Sequence, residues 1–379
     1  MTVTTRLHAL IAERIAAAGG WLGFDEFMRL ALYAPGLGYY SAGSYKLGAG
    51  GDFTTAPETS PLFADGVATQ CAQLLAELGP QAELFEVGAG SGALACDVLR
   101  ALERAGRLPA RYRILEVSAD LRERQQHAVR SLPPQLSGLV QWLDEPPSHP
   151  WQGVLLANEL LDALPCERFS VAADGEFVAL GVALEAGELV WRGVDADQGL
   201  RAELQRIVAE LPQPLPRGYN SELCRLVEPW LGSVSDALTR GALLLFDYGL
   251  PRRELYHLQR DDGTLHCHFQ HQAHGDPFAN LGLQDITAWV DFTRVAEGAD
   301  ALGLQVNGFA TQAAFLLGTG IEARIAAASD ARARAQLASA ARKLMLPGEM
   351  GEIFKVIALT RDVDIALAGF AHQDLRARL

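Results

Sequence analysis

The sequence predicts an α/β fold built on a parallel, Rossmann-like sheet. Three observations predict it. An apolar strand, Glu83-Leu84-Phe85-Glu86-Val87, runs into glycines spaced two apart, Gly88, Gly90 and Gly92, and then into a helical pattern from Ala93. A second apolar run ending in an acid, Tyr112-Arg113-Ile114-Leu115-Glu116-Val117, follows. From residue 83 onward, strand and helix patterns alternate, as βαβ units require.

The elements follow in order. Leu7, Leu10, Ile11 and Ile15 share one face of an amphipathic helix over 6–18. A second helical pattern covers 60–78, and a glycine-rich middle runs from Pro35 to Asp52. We expect 1–80 to be a helical N-terminal extension with a lid loop. Parallel strands are expected near 83–87, 112–117, 139–143, 153–157 and 242–247. Two more, 304–309 and 352–359, flank a helical region and suit a closing antiparallel pair. Between the fourth and fifth strands the pattern breaks. Short alternating strands over 167–194 are separated by Asp174-Gly175 and Ala186-Gly187, a hairpin signal. Helical patterns follow at 200–210 and 220–240, around a proline-rich break at 211–218. We therefore expect a core of 81–166 and 241–379, with an α+β insertion at 167–240. The stretch from Asp247 to about Asp285 reads as loop.

Composition sets limits. The 379 residues, 49 % apolar, can bury a substantial core. A net charge of −14 argues against sequence-independent nucleic-acid binding, which needs basic surfaces. No apolar run approaches a membrane span. Met1 to Gly20 has neither a signal-peptide apolar block nor a transit-peptide composition, so the cytosol is expected. The five cysteines are scattered with no C-x-x-C pair, which argues against a disulfide framework or zinc ribbon.

The glycine turn carries the first chemical signal. A strand turning tightly into a helix needs backbone conformations that a β-carbon resists. The helix N-terminus then offers free N–H groups to a polar ligand. With Ala93 last, the spacing also fits the dinucleotide pattern G-x-G-x-x-A. Glycines alone do not separate NAD from S-adenosylmethionine. Glu86 leans toward the latter: a carboxylate there can meet a cationic amino-acid end, whereas it repels a pyrophosphate. The plain alternative is a βα turn with no ligand. Glu116 lies somewhat beyond the roughly 20-residue spacing usual for a ribose-binding carboxylate, yet can accept both ribose hydroxyls.

Asn158 and Glu159 stand at the rim beyond the fourth strand, where ligands of doubly wound sheets sit. Glu159 and Asp162 share a face if the segment turns helically. Helix capping is the plain alternative. The polar segment Gly51-Asp52-Phe53-Thr54-Thr55-Ala56-Pro57-Glu58 lacks the order of a phosphate loop and suits a closing lid. Four of the nine histidines, His266, His268, His271 and His274, gather around Cys267. Their spacing matches no standard zinc signature, so an active-site or interface loop is expected and no metal is assigned.

Taken together, these residues resemble the MidA-type family of S-adenosylmethionine-dependent methyltransferases. The carrying segments are Gly51–Glu58, Glu86–Gly92, Glu116-Val117-Ser118, Asn158–Pro165, Asp247-Tyr248-Gly249, Gly263-Thr264-Leu265, Asp285–Ala288 with Val290-Asp291-Phe292, and Met350-Gly351-Glu352. Ala56 stands where the family usually has serine. The resemblance implies a class I methyltransferase fold with a seven-stranded sheet, and S-adenosylmethionine as cofactor. Mitochondrial members methylate an arginine on a respiratory complex I subunit during assembly, so a protein acceptor is expected. On that basis Gly88, Gly90, Gly92, Glu86, Glu116 and Asn158 are expected to bind the cofactor. Glu159 and Asp162, with Asp52 and Glu58 on the lid, are expected to orient an arginine. The alternatives are a non-catalytic S-adenosylmethionine-binding assembly factor and an NAD-dependent oxidoreductase.

Overall fold

The path through the main sheet joins seven strands of the computed structural model, which describes residues 2–42 and 55–379. They are Glu83–Val87 (β1), Tyr112–Leu115 (β2), Val140–Leu143 (β3), Trp151–Asn158 (β4), Leu238–Leu250 (β5), Gln305–Thr311 (β6) and Phe354–Arg361 (β7). Their order is β6-β7-β5-β4-β1-β2-β3. The first five are parallel, with Leu84 opposite Val154 and Leu244 opposite Leu156. β7 inserts antiparallel between β5 and β6, which places Ala358 beside Leu244 and Ile357 beside Phe309. Among the described residues the sheet has eight strands, and these seven run in the expected arrangement with its closing antiparallel pair.

These strands form the centre of one compact unit, Thr54–Leu160, Glu228–Gly249 and Phe292–Leu379. Every residue of β1 is buried, as in a strand covered on both faces. The helix Pro61–Leu78 (α1) shows how the cover is made. Ser60 caps it, its Oγ accepting from Leu62 N at 3.2 Å, and Pro61 opens the first turn. Gly79 ends it at φ 89°. Phe63, Val67, Cys71 and Leu74 of α1 join a core with Leu84, Leu156, Leu244 and Val356. Each such large apolar side chain contributes about 2 kcal/mol by leaving water. The helices Ala93–Arg104 (α2) and Ala119–Arg130 (α3) follow β1 and β2.

The strand order turns back between β1 and β4. Beyond the carboxyl ends of two strands at such a reversal is where an open α/β sheet binds its ligand.

The other unit comprises Met1–Phe53, Leu161–Val227 and Leu250–Asp291. Helix Val3–Ala17 buries Leu7, Ile11 and Ile15, as its periodicity predicts. An antiparallel sheet contains Glu167–Val171, Phe177–Glu185 and Glu188–Asp195, the expected hairpins. Ala186 and Gly187 form the tight turn at φ 48° and 91°. A second sheet orders Gln272–His274, His266–Phe269 and Asp285–Thr287.

Three sequence readings need correction. Residues 220–240 are not one helix: Asn220–Leu223 is a strand paired with Glu167–Ser170, and the helix is Val227–Ser235. The loop-rich stretch holds the three-stranded sheet just described. The units also divide the chain differently from the expected boundaries. α1 packs on the sheet rather than with the N-terminal segment. Residues 250–291 join the N-terminal unit because Leu265, Cys267, Leu281 and Ile286 pack with Leu7, Ile11 and Phe27.

Candidate active site

The glycine turn leaves β1 at the sheet's carboxyl edge. Gly88 N still donates to Leu115 O at 3.1 Å, so the turn starts in register with β2. Gly88 has φ 71°, and a β-carbon there would lie 2.9 Å from Leu160 Cδ1. Gly92, at φ 83°, is the N-cap of α2 and has no side chain to bond the first N–H groups. A β-carbon on it would press to 3.2 Å on Gln125 Cα. Gly90 also has positive φ. The turn thus needs glycine for its backbone angles and for its close packing on Leu160 and Gln125, and no side chain caps the first N–H groups of α2.

Glu86 is 3 % exposed and accepts a 2.7 Å hydrogen bond from Tyr112 Oη. Burial raises its pKa to about 7; the tyrosine bond opposes the rise and the charge of Glu116 adds to it. Among the described residues no cation pairs with Glu86.

Glu116 follows β2 and is buried by its own network. Its Oε1 accepts from Ser118 N at 2.9 Å and its Oε2 from Gln125 Nε2 at 2.9 Å. The same amide nitrogen lies 3.0 Å from Gly90 O, and Trp142 Nε1 donates to Gln125 Oε1 at 3.1 Å. Gln125 therefore ties the acid to the glycine turn. Each carboxylate oxygen keeps further acceptor capacity for hydroxyls. Val117, next in the chain, is 81 % exposed at this rim.

Asn158 ends β4 opposite Phe246 of β5. Its Oδ1 is buried without a hydrogen-bond partner among the described residues. Its Nδ2 donates to Glu159 Oε1 at 3.0 Å, and Ala56 N reaches the same oxygen at 3.3 Å. Glu159 holds φ 52°, a left-handed conformation that costs a non-glycine residue about 1–2 kcal/mol. Asp247, at the end of β5, fixes the next residue: its Oδ2 accepts from Leu160 N at 3.1 Å.

The structure thus brings Glu86, Gly88, Gly90, Gly92, Glu116 and Asn158 to one sheet edge, with Glu159 adjoining. Glu58 lies in the short helix Ala56–Thr59 of the same unit. Asp162 is buried in the turn Leu161–Ala163, which belongs to the other unit. Asp52 lies outside the described residues. Where the family's serine is usual, Ala56 is fully buried and works through its backbone N–H. The histidines gather on the second sheet. His266 and His268 project from one face of their strand and the buried Cys267 from the other, and His266 Nδ1 lies 2.8 Å from Thr264 O. No group of three or more His, Cys, Asp and Glu side chains that could hold a metal occurs among the described residues. No described helix is long and apolar enough to cross a membrane.

Sequence reasoning missed Tyr112, Gln125 and Asp247 as site residues. Asp247 carried a signal, an acid directly after the apolar run Leu243–Phe246.

The glycine turn, a buried carboxylate with no cation among the described residues and a buried carbonyl oxygen with no partner among them fit the cationic amino-acid end of S-adenosylmethionine. Comparison with known proteins agrees. The model of a family described as S-adenosyl-L-methionine-dependent methyltransferase matches residues 66–310. The chain is 29 % identical over 399 residues to "Protein arginine methyltransferase NDUFAF7, mitochondrial" of Danio rerio, covering 94 % of this chain and 87 % of the relative. The Mus musculus protein of the same name is 29 % identical, over 88 % and 80 %. A crystal structure from Burkholderia thailandensis bound to S-adenosyl-homocysteine superposes with a TM-score of 0.93 at 40 % identity, covering 100 % of this chain and 97 % of that one. Two expectations fall. The zebrafish and mouse relatives are named mitochondrial, which overturns the cytosolic assignment. The NAD-dependent oxidoreductase is set aside by the family. The chain belongs to the S-adenosyl-L-methionine-dependent methyltransferases and has their class I α/β fold.

Proposed function

We propose that this chain transfers a methyl group to an arginine side chain of a protein. The observation that carries the reading is Glu86: a buried acid with no cation among the described residues, beside a glycine turn, at the point where the strand order reverses. The zebrafish and mouse relatives named protein arginine methyltransferase support the acceptor class.

The backbone of Gly88, Gly90 and Gly92 approaches the cofactor. Glu86 and Asn158 Oδ1 receive its ammonium end. Glu116 accepts the ribose hydroxyls, and the exposed Val117 meets a face of the base. S-adenosylmethionine supplies an electrophilic methyl on a positively charged sulfur. The chain's remaining task is alignment, which is worth several kcal/mol as effective concentration, about 7 or more in the best cases.

An arginine guanidinium is cationic at neutral pH and a poor nucleophile. Carboxylates must orient it and draw its charge away from the attacking nitrogen. Glu159 is the first candidate, since its strained backbone is held by Phe246 O, Asn158 and Ala56. Asp162, Glu58 and Asp52 are the others. A respiratory complex I subunit is the first acceptor to assay.

The test uses radiolabelled S-adenosylmethionine and a lysate from cells lacking this gene. Label recovered as methylarginine after acid hydrolysis is the expected result. Label in a different amino acid ends the arginine reading. Glu159→Gln with full transfer and unchanged S-adenosylhomocysteine affinity removes Glu159 from the mechanism.

A further inference from the structure

The opposite edge of the main sheet carries a cavity of about 460 Å³. It lies at the amino ends of β1, β2 and β4, away from the glycine turn. Glu83, Arg111, Arg113, His149, Trp151 and Gln152 are among the residues that line it, and all belong to the sheet unit. Strand register brings them together. Glu83 opens β1 opposite Gly153 of β4, and Phe85 stands opposite Arg113 of β2. Alternation along each strand then puts Glu83, Arg113 and Trp151 on one face. Arg111 comes just before β2, its carbonyl accepting from Leu84 N at 2.9 Å. Trp151 packs edge-on against Phe85, with centroids 5.6 Å apart.

The lining holds more positive charge than the fold requires. Glu83 is buried, and Arg113 Nη2 lies 2.9 Å from its Oε2. A buried acid needs such a partner, and one is enough. A second cation is nevertheless present: Arg111 Nη1 donates to Glu83 Oε1 at 3.0 Å, while 52 % of the arginine side chain stays exposed. A guanidinium has five N–H donors, so most of those on Arg111 remain open. Glu83 is the only acid among the described residues that line the cavity. Two arginines against one acid leave a surplus of one positive charge, even with His149 neutral, in a chain of net charge −14.

Trp151 adds an independent signal. It is 5 % exposed, and its Nε1 is buried with no hydrogen-bond partner among the described residues. An indole N–H can only donate, and a buried donor left unpaired is unfavourable until an acceptor reaches it. Surplus charge and a surplus donor ask for the same thing, an oxygen anion.

We infer that this cavity binds a small organic carboxylate, at a site separate from that of the cofactor. A carboxylate is planar and takes two parallel N–H bonds from a guanidinium. It brings one negative charge, which equals the surplus of the lining. A phosphate dianion exceeds that surplus and meets repulsion from Glu83. The side-chain amide of Gln152 offers a donor and an acceptor to the rest of the molecule. The volume falls within the roughly 300–1,000 Å³ usual for small-molecule sites.

The test titrates the full chain with lactate, acetate and inorganic phosphate at neutral pH and constant ionic strength, read by calorimetry. Lactate is expected to bind with a dissociation constant of about 1 mM or tighter. Arg111→Gln removes the surplus charge and leaves Arg113 to neutralise Glu83, so it should fold and bind lactate at least about 10-fold more weakly. Trp151→Phe keeps the ring and loses the donor, which predicts a loss of about 10-fold. Thermal unfolding checks that each variant is folded, and S-adenosylhomocysteine affinity is expected to stay at the wild-type value in both. No binding of lactate or acetate at about ten times that concentration overturns the proposal. So does wild-type lactate affinity in Arg111→Gln, which decides the matter alone if Trp151→Phe does not fold. Phosphate binding more tightly than lactate overturns the assignment to a carboxylate. Lactate that competes with S-adenosylhomocysteine belongs to the cofactor site and overturns the proposal as well. None of these outcomes touches the arginine reading.

Discussion

Glu222 in the N-terminal unit and Glu86 in the sheet unit are both almost wholly buried, and burial raises the pKa of each. Their surroundings differ. Glu222 comes with a counter-charge: Arg168 Nε lies 3.9 Å away, and Thr264 donates through N at 2.8 Å and Oγ1 at 3.1 Å. Arg168 is itself anchored to Asp262 at 2.7 Å and lies 5.0 Å over the Trp191 ring. Glu86 has one neutral phenol and a like charge, Glu116, nearby. An acid that serves the fold is neutralised by the fold. An acid that has no cation among the described residues is arranged for a ligand that brings one.

The largest expected effect breaks the first half of this contrast. Arg168→Met leaves Glu222 buried without its cation, and breaking such a pair costs about 3–5 kcal/mol. Thermal unfolding should show a large loss, with S-adenosylhomocysteine affinity little changed in protein that folds. Adding Glu222→Gln should recover much of the loss. If the double variant is no more stable than Arg168→Met alone, Glu222 is not the residue that Arg168 neutralises.

Gly88→Val attacks the other region. The residue must hold φ 71° and keep clear of Leu160. A β-branched side chain there costs on the order of 1–3 kcal/mol in backbone strain, besides displacing Leu160 beyond the end of β4. We expect at least about 100-fold weaker S-adenosylhomocysteine binding, read by calorimetry. Wild-type affinity removes the glycine turn from the site.

Glu116→Ala is next. It removes a charged acceptor worth about 1.5–3 kcal/mol, or some 10- to 100-fold in cofactor affinity. It also takes one acceptor from Gln125, whose amide nitrogen keeps its bond to Gly90 O. An adenosine probe should lose as much affinity as S-adenosylhomocysteine does, because the ribose is common to both. A loss confined to S-adenosylhomocysteine assigns Glu116 to the amino-acid end instead.

The two regions also differed in how far the sequence revealed them. The sheet edge was legible because each part is local: an apolar run, an acid at its end, glycines where the backbone must turn left-handed. The bond from Tyr112 to Glu86 was not, since it depends on which residues of β1 and β2 lie side by side. Asn220–Leu223 was read as helix because four residues give too little alternation to outweigh the pattern around them. Asp285–Thr287 has three residues and the histidine hairpin is polar, so neither carries a strand signal of its own. Tyr40 and Asp285 meet only through long-range pairing. Glu159 and Asp162 share a face only where the segment turns helically, and Glu159 at φ 52° is not helical. The chain instead passes from one unit to the other between residues 160 and 161.

The smallest effect is the most specific to Glu86. Its folded pKa of about 7 exceeds the ordinary 4.5, so the folded state binds more protons than the unfolded one between those values. Stability of the ligand-free protein contributed by this group is therefore lost as pH rises from about 4.5 through about 7. A cationic ligand needs the ionised acid, so its affinity runs the other way. Between about pH 6 and about pH 8 the ionised fraction of such a group rises about tenfold, and S-adenosylmethionine affinity should rise with it. Glu86→Gln should flatten that profile while raising the unfolding temperature of the ligand-free protein above pH 7, since it keeps an acceptor for Tyr112 and drops the buried charge. Arg168→Met and Glu86→Gln would then move stability in opposite directions by each removing one charge. A pH profile of affinity that stays tenfold steep in Glu86→Gln assigns the titration to another group and takes from Glu86 its role at the cationic end of the cofactor.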